Sequence, residues 1–108
     1  MKQEHVSGWK SLCKARSLLL SAMGEDPISA VKQANVPVNS GLTQLEGRAT
    51  LNRHSVQLVG YLRTIVPDFG GDPAPDPSLV ASTIGGSPLT FSKYVKAIDE
   101  LANELATY

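Results

Sequence analysis

Apolar residues recur along this chain at three- and four-residue intervals, and nowhere do they alternate long enough to build a half-buried strand. The one β-like scrap, Val36-Pro37-Val38, is too short, and its proline would confine it to a sheet edge. The first amphipathic segment covers residues 7–23. Trp9, Leu12, Cys13, Leu19, Leu20 and Met23 fall on its apolar stripe, and Arg16 interrupts it. Ser7 is a candidate N-cap and Gly24 a candidate C′ residue, while Lys10, Lys14 and Ser17 take a wet face.

Asp26-Pro27 restarts the chain, because an Asp at the N-cap accepts hydrogen bonds from free amides and a Pro at the first helical position has its φ already set. The helix that follows is predicted to be short, residues 28–34. Pro37 biases Val36 away from helical geometry, which makes residues 35–41 a turn or extended connection. The helical pattern then resumes as a short helix near 42–48 and a long one near 52–66, parted around Gly47 and Thr50. Leu51, Leu58, Leu62 and Ile65 form the stripe of the long helix, flanked by Val59 and Val66, with Asn52 placed to cap it and Pro67 to end it.

Residues 68–77 hold three Pro, two Gly and three Asp, which predicts a linker near 67–77 rather than a helix interior or central strand. Asp76-Pro77 repeats the cap signature and opens a short helix that Gly85-Gly86 ends. Ser87-Pro88 repeats it again and opens the most regular helix of the chain. There Phe91, Tyr94, Val95, Ile98, Leu101, Ala102 and Leu105 make an unbroken stripe opposite Lys93, Lys96, Glu100 and Glu104. The predicted fold is all-α: a single domain over residues 1–108, built as a compact orthogonal bundle of four to six helices.

Composition narrows the class without naming a chemistry. A 108-residue chain with 42% hydrophobic and 19% charged residues fits one soluble globular domain and argues against global disorder. No apolar run approaches the roughly 20 residues of a membrane span, and Leu18-Leu19-Leu20 is too short for a secretory signal. A cytoplasmic protein is the expectation. The single cysteine, Cys13, excludes an intramolecular disulfide and reads as a small buried hydrophobe on a helix stripe.

The search for catalytic chemistry gives nothing. His5 and His54 stand in no metal-ligand frame; His5 is expected in a frayed terminus and His54 facing solvent or capping a helix. Asp68, Asp72 and Asp76 are evenly spaced, but prolines stiffen the segment and the terminal Glu of a calcium loop is missing. Asp68-Phe69-Gly70 matches the kinase metal-binding tripeptide by letter alone, in a chain too short for that enzyme. No serine sits in G-x-S-x-G, and Gly85-Gly86-Ser87 lacks the lysine of a phosphate loop. No catalytic residue, metal or cofactor is expected.

Charge supplies the remaining signal. Ten Lys+Arg against ten Asp+Glu sum to zero, but residues 1–63 hold eight and four (+4) and residues 64–108 hold two and six (−4). Neutrality excludes a uniformly basic binder and leaves room for a basic face built from Lys10, Lys14, Lys32, Arg48 and Arg53, with Trp9 as an anchor if it is not absorbed by the core. The leading expectation is a non-enzymatic module that docks a protein partner with an acidic surface, or a second copy of itself. The alternative is a DNA-binding regulator, because residues 28–45 resemble a helix-turn-helix in pattern. Asn39, Ser40, Thr43 and Gln44 would then read base edges while Lys32, Arg48 and Arg53 met phosphates.

Overall fold

Most helix ends lie where local signals put them. The computed structural model describes residues 2–21, 26–65, 84, 86 and 88–107. A 3-10 turn, Gln3–His5, leads into α1 (Val6–Ser21), followed by α2 (Pro27–Leu45), α3 (Arg53–Ile65) and α4 (Pro88–Thr107), with no strand among the described residues. The Asp26 carboxylate caps α2 by accepting from the amides of Ile28 and Ser29 at 3.1 and 3.3 Å. Asn52 caps α3 by accepting from the Ser55 amide at 2.8 Å. Gly47, at φ +74°, turns the chain between α2 and α3 in the left-handed region that a side chain would strain. The predicted linker near 67–77, the short helix after Asp76-Pro77, and Met23, Gly24 and Phe69 lie outside the described residues.

The turn predicted at residues 35–41 does not form. α2 runs unbroken from Pro27 to Leu45 with Pro37 inside it, absorbing both the short helix 28–34 and the start of the one near 42–48. Pro37 removes one i→i−4 bond, at about 3 kcal/mol in a helix interior, but the carbonyl it leaves unserved belongs to Gln33, an exposed residue open to water. Against that loss α2 buries Ala30, Val31, Ala34, Asn35, Val38, Gly41, Leu42 and Leu45. Tertiary burial along the whole helix outweighs the local preference of the residue before proline.

The core is one cluster drawn from every helix. Leu12, Ala15 and Leu19 come from α1, Leu58, Val59 and Leu62 from α3, and Tyr94, Ile98, Leu101, Ala102 and Leu105 from α4, with Ile84 joining them. α1 and α2 make the most extensive pairing, and α4 packs on both α1 and α3. Trp9 and Cys13 are half-buried against this cluster, whereas Leu20, on the predicted apolar stripe, is 51% exposed. Arg16 interrupts that stripe because it reaches α4: its Nη1 donates to Asp99 Oδ1 at 3.0 Å and to Asn103 at 3.3 Å.

α1 and α2 approach so closely because each offers a glycine at the crossing. A methyl on Gly8 would sit 2.8 Å from Leu45 Cγ and 3.2 Å from the Gly41 carbonyl oxygen. A methyl on Gly41 would sit 3.1 Å from the Gly8 carbonyl oxygen. At Gly8 a methyl forces a neighbour to shift, and at Gly41 its neighbours must give by a few tenths of an ångström. Gly60, in the middle of α3, differs: a methyl there meets nothing within 4 Å.

Two polar groups inside the bundle fix how the elements meet. The Tyr94 hydroxyl, fully buried on α4, donates to Asn35 Oδ1 of α2 at 2.6 Å. His5 is not in a frayed terminus. It is fully buried, with Nε2 and Thr50 Oγ1 2.9 Å apart, so the 3-10 turn is tied to the loop between α2 and α3. Asn52 extends the same junction by donating to Glu104 of α4 at 2.7 Å.

Two stability predictions follow from this packing. Gly8→Ala is expected to destabilise the fold by about 1–3 kcal/mol through overpacking, whereas Gly60→Ala is expected to stabilise it by about 0.5–1 kcal/mol through helix propensity alone; urea denaturation of both variants reads the opposite signs. Tyr94→Phe leaves the buried Asn35 side chain without its phenol and is expected to cost about 1–3 kcal/mol. Burial pushes the Tyr94 phenol well above its ordinary value of 10.0, so the folded state holds that proton more tightly than the unfolded chain. Its contribution is full below about pH 10 and falls as pH rises further. Alkaline unfolding followed by circular dichroism should therefore flatten in the Phe variant.

Candidate functional site

Two of the four side chains predicted to read bases, Asn39 and Thr43, are engaged by α3. With α2 continuous, Asn39, Ser40, Thr43 and Gln44 belong to the second half of a single helix, so there is no separate recognition helix. Asn39 Oδ1 and Thr43 Oγ1 both accept from Arg63 of α3, the second at 2.9 Å, and the same guanidinium pairs with Glu46. Gln44 Nε2 donates to Ser40 Oγ at 3.2 Å. Arg63 thus clamps the end of α3 onto α2 with its planar fork, and its own position in the last turn of α3 suits the helix dipole.

The cations predicted to meet a partner remain on the surface. Lys10 and Lys14, one turn apart on α1, face away from the buried stripe of Gly8, Leu12, Ala15 and Leu19. Lys32 is exposed on α2, Arg48 on the loop after it, and Arg53 at the first position of α3. Arg48 Nε donates to the Gln44 carbonyl at 3.0 Å, which holds its stem against the end of α2. Among the described residues the ion pairs are Arg16–Asp99, Arg63–Glu46 and Lys96–Glu100; none involves Lys10, Lys14, Lys32, Arg48 or Arg53. Trp9 is half-buried, its body packed on the core.

Five of the six carboxylates among the described residues, all but Glu4, are already engaged. Of the six that fall among the described residues, Glu46, Asp99 and Glu100 sit in those pairs, Asp26 caps α2 and Glu104 accepts from Asn52. The same residues include all ten Lys and Arg of the chain. The described body therefore carries a net charge of +4, ten cations less six carboxylates.

Arg53 also works against its own helix. α3 opens on Arg53-His54 with no acidic residue in its first turn, although the helix dipole favours an anion there. His54 is exposed at that end, facing solvent as expected. A groove of about 600 Å³ between α1 and α4 is walled by Leu20, Phe91 and Val95. Its charges are satisfied within the chain, Arg16 by Asp99 and Lys96 by Glu100. Among the described residues no three His, Cys, Asp or Glu side chains gather as a metal site, and no helix is long and apolar enough to cross a membrane.

Sequence reasoning missed two residues that shape this surface. Arg63 was not separated from the other cations, since only the fold brings Asn39, Thr43 and Glu46 to it. Gly60 left a signal, a glycine inside the apolar run Leu58-Val59-Gly60-Tyr61-Leu62, which went unread. Comparison with protein-family models, curated proteins and solved structures finds no match.

Arg63→Lys keeps the charge but cannot serve Asn39, Thr43 and Glu46 together. We expect it to lower stability by about 1 kcal/mol and to speed amide hydrogen exchange at the end of α3, measured side by side with the wild type.

Proposed function

We propose that the chain is a non-enzymatic interaction module that docks an acidic surface of a partner protein through Lys10, Lys14, Lys32, Arg48 and Arg53, with Trp9 beside them on α1, in a cytoplasmic setting. One observation carries this reading: the fold engages five of the six described carboxylates internally and leaves these five cations exposed and outside any ion pair among the described residues. Arg53 sharpens it, because a cation at a helix N-terminus opposes stability and is better explained by an anion arriving from outside. Exposed, unpaired cations speed encounter with an acidic partner and set which surface it meets. The DNA-binding alternative keeps its cations, but α2 is continuous through residues 35–41 and Asn39 and Thr43 accept from Arg63, which favours the protein-docking reading.

The test is a titration of isotopically labelled protein with polyglutamate, as a mimic of an acidic protein surface, and separately with mixed-sequence duplex DNA, each at about 50 mM salt. Polyglutamate should shift amides at Lys10, Lys14, Arg48 and Arg53, and the Lys10→Glu/Lys14→Glu double variant should weaken binding at least about tenfold. Arg53→Glu should weaken binding while raising the melting temperature, since it corrects the charge at the start of α3. No shift with polyglutamate, or binding to DNA alone centred on Asn39–Gln44, would overturn the proposal.

A further inference from the structure

A second groove, about 430 Å³, lies between α3 and the loop that precedes it. Leu51 and Val59 form its floor, Val56 stands 53% exposed along it, and Gly60 opens onto it with no side chain. Arg48 lines one edge; at another, the Arg63–Glu46 pair is closed on itself. Helical spacing sets Arg53, Val56 and Gly60 at i, i+3 and i+7, a single stripe along α3. Arg53 therefore stands at the head of the stripe whose middle and far end are apolar and bare.

Gly60 is the telling member. Two of the helical glycines, Gly8 and Gly41, have a use inside the chain, because α1 and α2 could not meet without them. At Gly60 a methyl would meet nothing, so the fold gains no packing from its absence and α3 loses helix propensity. What the missing side chain does provide is bare backbone on a surface, room for a foreign side chain to approach the helix closely.

We propose that this groove is the anchor site for an acidic segment of a partner protein, one apolar side chain seated over Gly60 against Val56 and Val59, and flanking carboxylates on Arg48 and Arg53. The inference rests on the docking role proposed above and adds to it the place and the chemistry of recognition. The occupant is specified by charge. Among the described residues the one carboxylate lining the groove, Glu46, is already paired with Arg63, which leaves Arg48 as the open charge of its lining, with Arg53 one turn before Val56 at the head of the stripe. An uncharged apolar ligand would leave both arginines unanswered, and a purely acidic one would leave the apolar floor wet.

Two fluorescent peptides test it on the full-length protein: one with a central Leu-Phe pair between acidic residues, the other with Gly-Gly in place of that pair. The first should bind at least about tenfold more tightly at low salt, and its amide shifts should centre on Val56, Val59 and Gly60. Gly60→Leu should fill the groove and abolish that advantage, while the melting temperature holds or rises. Arg48→Glu/Arg53→Glu should weaken the first peptide by about tenfold or more. If the two peptides bind equally, with shifts at Lys10 and Lys14 and no effect of Gly60→Leu, the groove assignment fails and the acidic-partner reading survives. Failure of both peptides to bind at low salt would sink both. A concentration-dependent dimer that Gly60→Leu dissolves would make the occupant a second copy and overturn the peptide assignment.

Discussion

Where α1 and α2 cross, the carbonyl oxygens of Gly8 and Gly41 lie 3.1 and 3.2 Å from the points where the opposing side chains would begin. That closeness goes with the most extensive helix pairing among the described residues. The other elements take their positions from this pair. α1 turns Arg16 toward Asp99, α2 turns Asn35 toward Tyr94, and α4 is held by both. α3 then fits beside α4 and is fastened by Arg63 to α2 and by the Asn52–Glu104 bond to α4.

Against that closely packed interior, three choices on α3 conflict with the helix that bears them. A cation sits at its N-terminus, a valine is half in water, and a glycine lies where an added methyl would meet nothing within 4 Å. Taken singly each is a small loss that many proteins carry. Falling on one stripe, they describe a surface whose composition the chain's own stability does not explain. The proposed docking role accounts for all three with one occupant.

Much of the bundle was legible in the sequence because the relevant physics is local. Asp26 and Asn52 cap where they stand, Gly47 needs no partner to turn the chain, and the α4 stripe repeats without a break. Pro37 was misread because its local bias is real and was outweighed by burial of residues such as Val38 and Leu42, which only the packed structure reveals. His5 was misread for the same reason, since its pocket is made by a loop 45 residues away. The exposed cations could be named from the sequence, but not their freedom from ion pairs, which depends on where every carboxylate finishes. Gly60 shows the limit most plainly: the sequence prints the same letter for a glycine needed by a neighbouring helix and one needed by nothing inside.

The contact between α1 and α4 joins the two ends of the described chain, with Arg16 and Asp99 separated by 83 positions. The α1–α2 pair, by contrast, is closed by a short connection and forms at little loss of chain entropy. Release of α4 therefore exposes Leu12, Leu19 and Leu62 together, yet leaves the glycine crossing intact. The hairpin of α1 and α2 is thus closed between neighbours in sequence, whereas α4 is held by contacts that span most of the chain.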